Sequence, residues 1–180
     1  MKCKNVDNEY LNIVDKILNN GEFLKRKQYK HHGKISVFDH SLRVSVLAYK
    51  FSKKFKKMDY KSVAIGTLLH DFYYNPWTEN KEKKPFFKKH GFVHAKEALE
   101  NSKQIFPEYM NEKIEDIIEK HMFPLNIRIP KYKETWVIIL IDKLVSLEVF
   151  AQPKFFLNLL YSKKRSNNIK DKNIQSIDNN

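Results

Sequence analysis

A chain of 180 residues is long enough for one domain with a substantial core and too short for two ordinary ones. Its four glycines, Gly21, Gly33, Gly66 and Gly91, lie too far apart to build a GxxxxGK[ST] phosphate loop or a GxGxxG turn, and their scarcity disfavours a turn-rich sheet protein. A formal charge of +13, drawn mainly from lysines spread along the chain, is compatible with polyanions such as nucleic acid, nucleotides or anionic lipid, but the Lys-, Asn- and Ile-rich composition equally fits codon bias in an AT-rich genome.

Cys3 is the only cysteine, which excludes an intrachain disulfide and a thiolate metal cluster within one chain. The N-terminus has no apolar signal core, and the longest apolar run, Trp136 to Ile141, stops at Asp142 and Lys143, well short of a membrane span. The expectation is a cytoplasmic protein without a membrane partner.

Val6, Leu11, Val14, Ile17 and Leu18 recur at helical spacing ahead of Asn19-Asn20-Gly21, so a first helix is expected over about residues 5–19, with a short helical piece over Glu22 to Lys27. Tyr29 to Ile35 reads as a loop containing His31 and His32. Ser36-Val-Phe-Asp39 has the form of a capping box, and from it a helix carries His40, Val44, Leu47, Phe51 and Phe55 on one stripe. A lone histidine on such a stripe is usually a hydrogen-bonded core residue.

Asp59 can cap the next helix, whose almost wholly apolar stretch from Val63 to Leu69 runs into His70 and Asp71. A His-Asp dipeptide by itself is common and usually marks a capped helix end, but a carboxylate and an imidazole buried together need a partner, and a divalent cation satisfies both. Residues 72–90, with Trp77, Phe86 and Phe87 among lysines and prolines, are expected to form a lid over the substrate. After Gly91 a helix places His94, Ala98 and Ile105 on one face, and Phe106-Pro107 ends it. Asn111 caps another helix with Ile114, Ile117, Ile118 and His121 on its inner stripe.

Beyond a loop from Met122 to Lys133, residues 136–150 are apolar on nearly all sides, the pattern of a helix at the centre of a bundle. Asp142 interrupts it in line with Ile138, Val145 and Val149, where its carboxylate either pairs with a cation or carries a large desolvation cost. Phe155 to Tyr161 is expected to form a last helix, and the polar stretch 164–180 a disordered tail, leaving a single all-α domain over 1–163.

The inward-facing polar residues are His40, His70, Asp71, His94, His121 and Asp142, drawn from five helices. Imidazole and carboxylate ligands suit Fe, Mn, Zn, Ni or Mg, and six of them are shared more comfortably by two ions than by one that must keep an open position. At this point the sequence resembles the HD-domain phosphohydrolase superfamily, with a signature of a histidine, a His-Asp pair, further histidines and a final aspartate. The resemblance spans about residues 36–150. It is carried by His40-Ser-Leu-Arg43, Leu68-Leu-His-Asp71, His94 with Ala95, Lys120-His121 and Ile141-Asp-Lys143.

The resemblance implies an all-helical bundle with its metal site at the core, one ion held by His40, His70, Asp71 and Asp142, and a second bridged through Asp71 to His94 and His121. It implies His70 and Asp71 as the catalytic pair. Two divalent ions would activate a bridging water as hydroxide and clamp phosphoryl oxygens, giving hydrolysis of a phosphate ester or anhydride in a small, nucleotide-type substrate. Arg43, Lys143, His32 and Trp77 are candidate substrate-binding residues, each also readable as an ordinary surface side chain. A di-iron oxygenase on the same ligands, and a basic nucleic-acid-binding protein with a vestigial site, are the alternatives. The sequence leaves the oligomeric state open, with a dimer compatible.

Overall fold

Five of the described α-helices begin where a short polar side chain takes up free amides of the first turn. In the computed structural model, which describes residues 7–30, 35–74 and 90–151, Asp7 accepts from the Glu9 amide at the start of α1 (Asn8–Leu18). Asn20 accepts from Glu22 and Phe23 at the start of α2 (Gly21–Leu24), which continues as a 3₁₀ turn over Lys25–Gln28. Ser36 caps α3 (Val37–Ser52), Asp59 caps α4 (Tyr60–Leu69), and Asn111 caps α6 (Glu112–Lys120). Between the last two lies α5 (His90–Ile105), followed by a 3₁₀ turn over Pro107–Tyr109; α7 spans Lys133–Ala151. Among the described residues the only sheet-like pairing is an isolated bridge between Lys30 and Ser36. The fold is all-α, as the sequence implies.

Residues up to Val145 form one compact unit. At its centre is α4, on which every residue from Ser62 to Leu69 is buried. Helices α1, α3, α5 and α6 all pack on it. One apolar cluster joins Tyr10, Val14, Ile17 and Phe23 to Leu68, Leu69, Phe72 and Ile114, and a second joins Val44, Val63 and Ile117 to Val137, Ile138, Ile141 and Val145. Gly66 sets the closest approach: a β-carbon there would lie 2.8 Å from Ile117 Cγ2, so α6 can lie this near α4 only because that position has no side chain. Gly66 is one turn before His70, and Ile117 is one turn before His121. The contact therefore draws together the two helix ends that carry those histidines.

Three expectations need correction. The α3 stripe does not run on to Phe51 and Phe55, which are exposed and lie ring to ring, 5.1 Å apart, at the surface; the helix stops at Ser52, and its buried face follows Ser41, Ser45, Ala48 and Tyr49 instead. Small residues win that face because α3 lies close against α4, where the Ser45 hydroxyl donates to the Ala64 carbonyl. Nor is α7 enclosed at the centre. Val137, Ile138, Ile141 and Val145 are buried, but Trp136, Leu140 and Leu144 are exposed, because the helix meets the other described elements along one face only. Finally, Phe72 and Tyr73, read as the start of a lid, belong to the core at 0% and 1% exposure. Trp77, Phe86 and Phe87, the last helix at 155–161 and the tail at 164–180 lie outside the described residues. No described helix is long and apolar enough to cross a membrane.

Candidate metal centre

A helix that ends leaves carbonyls without intrahelical partners, and two such ends set the orientation of two imidazoles. His70 closes α4 and donates from Nδ1 to the Thr67 carbonyl at 2.7 Å; His121 closes α6 and donates from Nδ1 to the Ile118 carbonyl at 2.8 Å. The two arrangements are the same i to i−3 device. Each directs Nε2 inward, toward the other polar side chains of the cluster, and such a bond at Nδ1 is what orients the ring of a metal-binding histidine.

Asp71 lies between the two sets of rings and turns one oxygen toward each. Its Oδ2 is 3.4 Å from His70 Nε2 and 3.9 Å from His40 Nε2, and its Oδ1 is 3.5 Å from His94 Nε2 and 3.8 Å from His121 Nε2. Two trios of mutually close ligand atoms result, His40 with His70 and Asp71, and Asp71 with His94 and His121, every member buried. Asp142 comes in from α7 on the first side, its Oδ1 2.9 Å from His40 Nε2 and 3.7 Å from His70 Nε2. At 15% exposure it is the most open of the six.

The electrostatics fit a cation. Burial disfavours charge on His70, yet the Asp71 and Asp142 carboxylates outweigh it and raise the imidazole to about 9. Asp142 is itself held well below the usual carboxylate range, burial being overcome by His40 and His70. On the other side, burial together with the neighbouring His70 and His94 pushes His121 down to about 3, so it stays neutral and available as a ligand. His70 Nε2 is fully buried with no hydrogen-bond partner, at a cost of roughly 1–3 kcal/mol. The His94 and His121 Nε2 atoms approach to 3.0 Å. Because His121 gives its Nδ1 hydrogen to Ile118, its Nε2 accepts from His94; a divalent ion in each trio would use the orphaned nitrogen and replace the proton shared by the close pair. The six residues thus suit the ions that their chemistry implies.

Of the other residues singled out from the sequence, Arg43 is half-buried on α3 one turn from His40. Lys143 is exposed and donates to the Phe123 carbonyl at 2.9 Å, so its ammonium is directed at the α6–α7 connection. His32 and Trp77 lie outside the described residues.

Several residues that build the site gave no sequence signal. Asp116 on α6 is buried and takes the Lys131 and Tyr132 amides and the Thr135 hydroxyl, fastening the start of α7 two turns before Asp142. Along one face of α5, three and seven residues after His94, Glu97 accepts the Tyr74 amide and Asn101 donates to the Phe72 carbonyl, both at 2.8 Å. The segment leaving Asp71 is thereby pinned to the helix that supplies His94.

Arg26 is also unsignalled, standing in a short piece without apolar periodicity. It is 1% exposed, with its guanidinium carbon 4.5 Å from the centre of the Tyr74 ring, 4.6 Å from Tyr29 and 5.1 Å from Phe72. Cation–π contact of this kind contributes up to about 2 kcal/mol per desolvated ring, against a burial cost of several kcal/mol for an unpaired charge.

The HD domain family matches residues 37–147, and the chain belongs to that family. The matched span holds all six residues of the cluster. Members of the family are generally metal-dependent hydrolases. No curated protein and no solved structure matches the chain.

Proposed function

We propose that the protein is a metal-dependent phosphohydrolase acting on a phosphate ester or anhydride of a small nucleotide-type substrate, with two divalent ions at the cluster. The observation that carries this reading is the division of the Asp71 carboxylate, one oxygen toward His40 and His70 and the other toward His94 and His121. A carboxylate so placed between two imidazole pairs is suited to bridge. Two bound ions would lower the pKa of a shared water into the neutral range and stabilise the charge developing on phosphoryl oxygens.

The chain's own residues supply the rest. Thr67 and Ile118 carbonyls orient His70 and His121 with Nε2 toward the cluster, so the rings need not turn on loading, and an ion would displace the proton that His70 carries near neutrality. Asp142 adds the second negative charge to the first site. The basic surface favours approach of an anionic substrate.

Chelation and dialysis should abolish turnover across a panel of nucleotides and phosphate esters, and Mn²⁺ should restore it under anaerobic conditions. Turnover that survives chelation sinks the metal reading. Turnover that requires iron and consumes oxygen replaces hydrolysis with oxygenation.

A further inference from the structure

We infer that Arg26 is an anion-recognition residue, receiving a phosphate or other anionic group of the substrate whose reacting bond lies at the His-Asp cluster. The identity of that anion rests on the phosphohydrolase reading; the geometry of the recognition group does not.

A guanidinium has two kinds of surface, and only one of them is occupied here. Its face is covered by the rings of Tyr29, Phe72 and Tyr74, which answer its charge but accept no in-plane hydrogen bond. Around its edge, Nη2 makes a 3.4 Å bond to the Glu22 carbonyl, and Nε and Nη1 are buried with no hydrogen-bond partner among the described residues. No carboxylate among the described residues lies within ion-pair distance of it. The nearest acidic side chain in sequence, Glu22, is engaged by Lys25 at 2.7 Å. A buried guanidinium with donors left over and no ion-paired carboxylate among the described residues is matched chemically by an anion with several acceptor oxygens, such as phosphate.

The position relates this group to the site. Phe72 and Tyr74 follow Asp71 directly, and Asn101 and Glu97 fix their backbone to α5 on the same face as His94. Tyr73 between them sets its ring edge-on, 5.8 Å from His94, and its hydroxyl lies within the electrostatic reach of both Asp71 and Arg26. The guanidinium is therefore held in fixed register with the ligands, as a group that orients a substrate must be. Phe72 is buried, but Tyr29 and Tyr74 are only half-buried. The aromatic enclosure of the guanidinium therefore meets the surface at those two tyrosines.

The test uses the full-length, Mn²⁺-loaded protein freed of excess ion, with inorganic pyrophosphate as the probe in calorimetry. Arg26→Met keeps the length and apolar stem of the side chain, so packing against the rings is retained. It should weaken pyrophosphate binding at least tenfold while ion content and melting temperature hold. Arg26→Lys keeps a cation but loses the planar donors; it should weaken binding several-fold, and it serves if the Met variant does not fold. Affinity equal to wild type in whichever variant folds, or no pyrophosphate binding by the wild type, overturns the inference. The two readings fail separately: binding that depends on Arg26 without turnover of any phosphate substrate refutes only the hydrolase, and turnover with KM unaltered in the variants refutes only the role of Arg26.

Discussion

Asp71 and His121 touch the same cluster and should behave differently when removed. Asp71 faces both imidazole pairs, so Asp71→Ala takes a shared anionic ligand from both sites and should bring bound metal well below one ion per chain. On the two-ion reading His121 is a neutral ligand on one side only, and His40, His70, Asp71 and Asp142 remain without it. Metal analysis of His121→Ala should give about one ion per chain instead of about two, with helical content kept and turnover lost. Wild-type stoichiometry and turnover in that variant would make His121 a core histidine, and about one ion in both proteins would make the site mononuclear. At this scale much was legible beforehand, since imidazoles and carboxylates on apolar stripes are conspicuous: His40, His94 and His121 each fall in step with buried aliphatics. Arg26 was not, because a buried cation in a short 3₁₀ turn has no periodicity to betray it, and two of its three ring partners, Phe72 and Tyr74, come from nearly fifty residues away.

Among the elements, α7 depends on α6 for its placement. The Asp116 carboxylate collects the Lys131 and Tyr132 amides, the Thr135 hydroxyl and the Lys120 ammonium. Burial opposes its ionisation, but Lys120 and Thr135 prevail and hold it below the usual carboxylate range. A carboxyl depressed in the folded state stabilises fully above its unfolded value near 3.9 and loses that contribution as pH falls through the lower folded value. Asp116→Asn should cost about 2–3 kcal/mol near neutrality, a fall in melting temperature on the order of 5–10 °C. Its deficit against the wild type should shrink below about pH 4; a deficit that is the same at pH 3 and pH 7 would rule out the ionised carboxylate as the fastening group. Hydropathy marked α7 as a helix but misjudged its surroundings, because an apolar pattern records what a face could bury and not whether a neighbour arrives to cover it. Trp136, Leu140 and Leu144 stand exposed for that reason. The capping residues were easier to read, as Ser36, Asp59 and Asn111 act on amides only two or three positions away.

For the molecule as a whole, the enclosure of α4 has a consequence in time. Backbone amides buried on every side exchange with solvent only when the surrounding structure opens, so those of residues 64–69 should be among the slowest to take up deuterium and should track global unfolding. His70 and Asp71 follow directly on that stretch. An ion bound between them cannot leave by local fraying of its own helix, and its escape must run past a ligand on the rim, of which Asp142 is the most open. Metal release under a chelator should therefore be slow in the wild type and markedly faster in Asp142→Ala, with deuterium uptake over residues 64–69 unchanged between the two. A matching acceleration of both rates would mean that the core itself opens to let the ion go.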